Sequence, residues 1–191
     1  MKNKSIVSLF IILVALVHCA KAQFVFGDTQ SEQNDSLIQA KRLSFKIRNS
    51  NFFVDNEYKG EKAPHKPLLL LSIIQLMEDG VIVENKIPPV QAVKLKYEFL
   101  WDKYILHDTS YTKAVWTPYW HLQNEPFWHF KPIATQESLD ILIEESKGQT
   151  ASIGKIRDVV DYAYFDEELY TILQKENLRH LFKQLLIDTY L

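Results

Sequence analysis

The chain has 191 residues, 47% of them apolar and 13% aromatic, which suffices for a packed core and excludes an intrinsically disordered chain. Its formal charge of −2 excludes a global positive field that would draw it toward nucleic acid. The single cysteine, Cys19, excludes disulfides within the chain and cysteine-built zinc sites.

The first residues, Met1-Lys2-Asn3-Lys4, are basic. An apolar run over residues 5–17 follows, and then the A-x-A pattern Ala20-Lys21-Ala22. This order predicts a signal-peptide-like segment over residues 1–22 and hence export. A cytoplasmic location is the alternative if translation starts elsewhere. Residues 23–35 are polar, without a sustained period, and read as a linker. Ser36 is a fitting cap for a helix over residues 36–48, in which Leu37, Ala40, Leu43 and Ile47 fall at helical spacing.

The next stretch, Ala63-Pro64-His65-Lys66-Pro67 followed by four leucines, is the most informative in the chain. Pro67 suits a first helical position, and the run from Leu68 to Met77 is apolar nearly all round, so the spacing predicts a buried helix ending at Gly80. His65 and Lys66 then stand at a helix N-terminus, where backbone N–H groups and the helix dipole favour an anion. Phosphate contacts are expected from Lys66, Lys62 and that helix end. The same residues also suit a core helix preceded by a solvated lysine. Residues 81–83, Val-Ile-Val, predict a short strand. Pro88-Pro89 opens another helix, with Val90, Val93, Tyr97, Leu100, Trp101 and Tyr104 on one face.

Residues 114–130 read as a β-hairpin, with Tyr119-Trp120-His121-Leu122 and Phe127-Trp128-His129-Phe130 as its strands. Alternation puts Trp120, Leu122, Trp128 and Phe130 toward the core, and Tyr119, His121, Phe127 and His129 on the other face. Helices are predicted over 138–145, 152–162, 166–174 and 177–190, with Ser152 and Asp166 as caps. The fold class expected is therefore α+β, mostly helical, with a small antiparallel hairpin.

Three ordered pieces carry a family resemblance: APHKPLLLL, then PYWHL with PFWHF, then the segment VDYAYFDEELY over residues 160–170. Together they resemble the N-terminal head domain of McrA-type HNH restriction endonucleases, the ScoMcrA-like or sulfur-binding domain, over residues 36–191. The resemblance implies a DNA-recognition module of a modification-dependent restriction system, in characterised members one that reads phosphorothioate DNA. It also implies an HNH nuclease beyond residue 191 or on a separate chain. Carried over, His65 and Lys66 match the family's His-basic pair. Pro118, with Thr117 and Tyr119, matches its apolar proline wall, and His121 falls close by. The implied DNA- or phosphate-binding set is thus His65, Lys66, Lys62, Pro118, Tyr119 and His121. Two residues depart from the family: Thr117 stands where some members carry an aromatic, and Lys66 stands where sulfur readers carry arginine. An exported protein that reuses the fold, and a fragment of a split endonuclease, are the rival readings.

His121, Asn124 and His129 spell H, N, H, but three- and five-residue intervals in one tight turn do not make a ββα metal finger. No glycine-rich phosphate loop or nucleophile pattern occurs among the five glycines and six histidines. No cofactor, metal or catalytic residue is therefore expected. Charge is uneven: residues 41–66 carry seven Lys/Arg against three Asp/Glu, and residues 135–191 carry six against eleven. A basic binding face with an acidic back is one arrangement this allows, ordinary surface variation the other.

Overall fold

The computed structural model describes residues 57–58, 61–105 and 111–191. All lie in one compact unit, Arg42–Leu191. The predicted signal-peptide-like segment, the linker and the helix over 36–48 fall outside the described residues.

The fold is α+β and mostly helical. Strands β1 (Glu57–Tyr58) and β2 (Glu61–Lys62) form a minimal antiparallel pair. Helix α1 follows at His65–Glu78 and buries every residue from Lys66 to Ile74, plus Leu76. It begins two residues earlier than Pro67, with Pro64 as its cap and the first helical hydrogen bond running from Leu68 N–H to the Pro64 carbonyl at 3.0 Å. Gly80 ends it in the left-handed region, at φ +69°, its N–H bonded to the Met77 carbonyl.

The predicted strand at 81–83 does not form. The N–H groups of Val81 and Ile82 both return to the Leu76 carbonyl and close the helix end, so neither is left to donate to a ladder. Helix α2 (Gln91–Tyr104) packs against α1 through Val93, Tyr97, Leu100 and Trp101; Val90 is its exposed N-cap rather than a core residue.

The predicted hairpin is replaced by a helix and a strand with a distant partner. Residues Trp116–His121 form α3, continued by a 3-10 turn at Leu122–Asn124. Pro118 is its third residue, a place where no helical acceptor awaits an N–H, whereas a hairpin strand would lose a ladder bond there. Pro118, Tyr119 and Trp120 are consecutively buried, which no alternating strand permits. Strand β3 (Trp128–Pro132) is real, but pairs antiparallel with β4 (Val160–Phe165), a segment predicted partly as helix. The register sets His129 opposite Tyr164, Phe130 opposite Ala163 and Lys131 opposite Tyr162. A bulge follows, because Pro132 pairs with Val160 and leaves Asp161 unpaired.

On its other edge β4 is completed by residues 85–87. Ile87 and Ala163 exchange both backbone hydrogen bonds, at 2.8 and 2.9 Å. The Asn85 side chain donates to the Phe165 carbonyl and accepts from the Phe165 N–H, standing in for one more peptide of the ladder.

Helices α4 (Gln136–Ser146), α5 (Ile153–Val159), α6 (Glu167–Gln174) and α7 (Glu176–Tyr190) complete the unit. Thr135, Ser152 and Asp166 cap the first three through side-chain oxygens. The core residues expected from the sequence, Leu69, Leu70, Ile73, Ile74, Trp120 and Trp128, are all at most 1% exposed. Trp120 stacks on Phe130 at 5.5 Å, while Tyr119 and Phe165 meet Trp128 edge to face.

Candidate functional site

The N-terminal turn of α1 comprises Pro64, His65, Lys66 and Pro67. A helix start offers four N–H groups, and here prolines remove two, so only His65 and Lys66 retain donors. The anion site read from this turn is correspondingly thinner than an ordinary helix end.

His65 is half-buried. Its Nε2–H donates to the Thr112 carbonyl at 2.9 Å, and its ring packs on Trp101 and Tyr111. Burial lowers its pKa below the ordinary imidazole value, with the Thr112 carbonyl opposing that shift.

Lys66 is buried, 8% exposed, and its Nζ lies 2.6 Å from Glu125 Oε1. The Glu125 side chain is fully buried, and its second oxygen, Oε2, has no hydrogen-bond partner among the described residues. Nothing in the sequence pattern singled out Glu125 as the partner of Lys66. The available signal was an acid inside the aromatic run from Trp120 to Phe130, since such a residue is seldom buried unless paired.

His121, at the end of α3, is half-buried and shares a 3.0 Å hydrogen bond with the Thr150 hydroxyl. Burial first, and the charge of Lys66 second, lower its pKa. Lys66, His121, Glu125 and Thr150 are thus brought together.

Pro118 and Tyr119 are not surface groups. Pro118 is buried, and Tyr119 is wholly buried with its hydroxyl donating to the Ile87 carbonyl at 2.7 Å. Burial drives the Tyr119 pKa up, so this phenol stays protonated. The expectation that Lys66, Pro118 and Tyr119 line one surface is corrected: the helical turn that replaces the hairpin points Pro118 and Tyr119 inward, and Lys66 is buried in α1 against Glu125. Lys62 has a described backbone position in β2, but its side chain lies outside the described atoms.

The H, N, H residues go separate ways. His121 faces Thr150, Asn124 is exposed in the 3-10 turn, and His129 packs against Tyr164 with the rings tilted by 39°. Among the described residues no group of three His, Cys, Asp or Glu side chains could hold a metal ion. Neither protein-family models nor curated proteins match this sequence.

Proposed function

We propose that the chain is a DNA-recognition module of the modification-dependent restriction type, with phosphorothioate DNA as the ligand its resemblance names, acting alone or with a separate effector chain. One observation carries the reading. The ordered motifs that suggested the family meet at one place: Lys66 of the first is ion-paired with Glu125, which lies between the PYWHL and PFWHF pieces, and is in electrostatic reach of His121. The third piece pairs with PFWHF as β4 on β3.

Lys66 is not a standing phosphate contact in this arrangement. DNA would have to draw its ammonium from Glu125, leaving the half-buried His121 beside it. Binding is therefore expected to be weak for plain DNA. A phosphorothioate, whose sulfur is less well hydrated than oxygen, loses less on leaving water for this half-buried site.

The test is binding of the full chain to matched plain and phosphorothioate duplexes from low to physiological salt. Preference for the modified duplex, with a salt slope shallower by about 0.9 in Lys66→Ala, supports the reading. No binding to either duplex at any salt defeats it.

A further inference from the structure

The outer face of the β3–β4 sheet carries a second chemistry that the reading above does not use. Alternation along β4 buries Val160, Ala163 and Phe165 and turns Tyr162 and Tyr164 the other way. Across β3, Trp128 and Phe130 are buried, while His129 and Lys131 take the outer side. On the far edge Ile87 is buried against Ala163, which leaves Lys86 on the same outer side as the tyrosines.

The result is an aromatic row with cations at its rims. His129 and Tyr164 are a cross-strand pair with ring centroids 5.3 Å apart, and Tyr164 continues to Tyr162 at 6.3 Å. All three rings are half-buried. Lys86 lies over the Tyr162 ring, 5.8 Å from its centroid, and Lys131 stands exposed opposite Tyr162 on β3. None of these aromatic side chains serves the core, which lies on the other side of the sheet.

We propose that this face binds single-stranded nucleic acid, with unpaired bases stacking on His129, Tyr164 and Tyr162 and phosphates meeting Lys86 and Lys131. Aromatic side chains on an open sheet face are a recurrent way to hold unstacked bases, and basic groups alongside track the backbone. The cations decide between ligands that seek aromatic surfaces. A proline-rich peptide uses aromatic grooves without needing positive charge, whereas each nucleotide brings a phosphate with its base.

Two carboxylates temper the charge. Glu84 pairs with Lys86 at 2.6 Å, both more than half exposed, and Asp161 stands exposed at the bulge. The face is locally balanced, so stacking supplies most of the affinity and the salt dependence is shallow. This sets the face apart from the Lys66 site, whose contribution is electrostatic.

The experiment is fluorescence anisotropy of the full chain with a thymine oligonucleotide and with its abasic counterpart, across salt. The thymine strand should bind well above the abasic one. Tyr164→Ala should weaken it roughly five- to hundred-fold, the range for losing one base–aromatic stack, while Tyr164→Phe keeps it. Tyr164→Leu retains apolar volume without a π face, and serves if the alanine variant does not fold; it too should lose binding. Lys86→Ala should flatten the single-strand salt slope by about 0.7. Duplex binding that depends on Lys66 should be unaffected by Tyr164→Leu, so failure of one site is distinguishable from failure of the other. The proposal is overturned if the abasic strand binds equally well, if folded Tyr164→Leu binds thymine like the parent, or if a proline-rich peptide binds this face and the oligonucleotide does not.

Discussion

Replacing Lys66 by methionine tests how the α1 N-terminus is held. The pair is 2.6 Å apart, with side chains 9% and 0% exposed. At that separation and an effective dielectric near 20, attraction is about 6 kcal/mol. Withdrawing two ions from water costs several kcal/mol each, so the intact pair contributes little net stability. Breaking it is another matter. Lys66→Met strands a fully buried carboxylate whose Oε2 already lacks a partner, and should cost about 3–5 kcal/mol. Glu125→Gln should cost less, about 1–3 kcal/mol, because Lys66 retains some exposure and its flexible stem can carry the charge to water. The double variant should be more stable than Lys66→Met alone, since no buried ion is left unpaired. Urea unfolding followed by tryptophan fluorescence gives all four corners of the cycle. A Lys66→Met cost below about 1 kcal/mol, or costs that simply add in the double variant, would refute the buried-pair account. Glu125→Gln also bears on binding: with the competing carboxylate gone, duplex affinity should rise while the salt slope stays near the parent's, because Lys66 is the same single phosphate contact in both.

Three further outcomes are expected. Leu70 is fully buried in α1, so Leu70→Ala should cost about 2–5 kcal/mol in the same unfolding assay. His65 and His121 both have pKa values held below 6.5, chiefly by burial, so the unfolded chain takes up their protons first. Stability should therefore be full above pH 6.5 and fall as the pH drops toward the lowered values; urea midpoints across pH check this, and His121→Gln should reduce the fall. The purified chain should leave DNA intact with Mg²⁺, Mn²⁺ or Zn²⁺ in a gel assay, and metal-dependent cutting that vanishes in His121→Ala would reverse the dismissal of the H, N, H triplet.

What the sequence made legible was local. The α1 core run, its Gly80 stop and the Ser152 and Asp166 caps depend on residues a few positions apart, and each is found where spacing puts it. The hairpin failed because Trp120, Leu122, Trp128 and Phe130 mimic a period of two while belonging to different elements. Pro118 was the available warning: it fits the third position of a helix and fits a strand poorly. The first half of strand β4, residues 160–162, reads as helix because its ladder partners, β3 and residues 85–87, lie far off in sequence. Val160, Tyr162, Tyr164 and Phe165 are nonetheless strand-favouring types, and weighing them above the helical register would have ended α5 at Val159, where it does end.

The candidate site was half legible for the same reason. Motif spacing picks out His65, Lys66 and His121; Lys66 and His121 do come together with Glu125 and Thr150, while His65 turns to the Thr112 carbonyl and the Trp101 and Tyr111 rings. Spacing could not say which way each side chain points. The helical turn at Trp116–His121 sends Tyr119 inward to the Ile87 carbonyl, and so couples α3 to the same short segment that edges β4. Residues 85–87 therefore have two physical duties: Ile87 anchors Tyr119 and Ala163 on the buried side, while Lys86 is held over Tyr162 on the outer side. A perturbation at Asn85, which fastens this segment to Phe165 through two hydrogen bonds, would reach the packing around α3 and the aromatic row together. The two proposed contact surfaces thus differ in chemistry, charge and salt dependence, yet share one structural support.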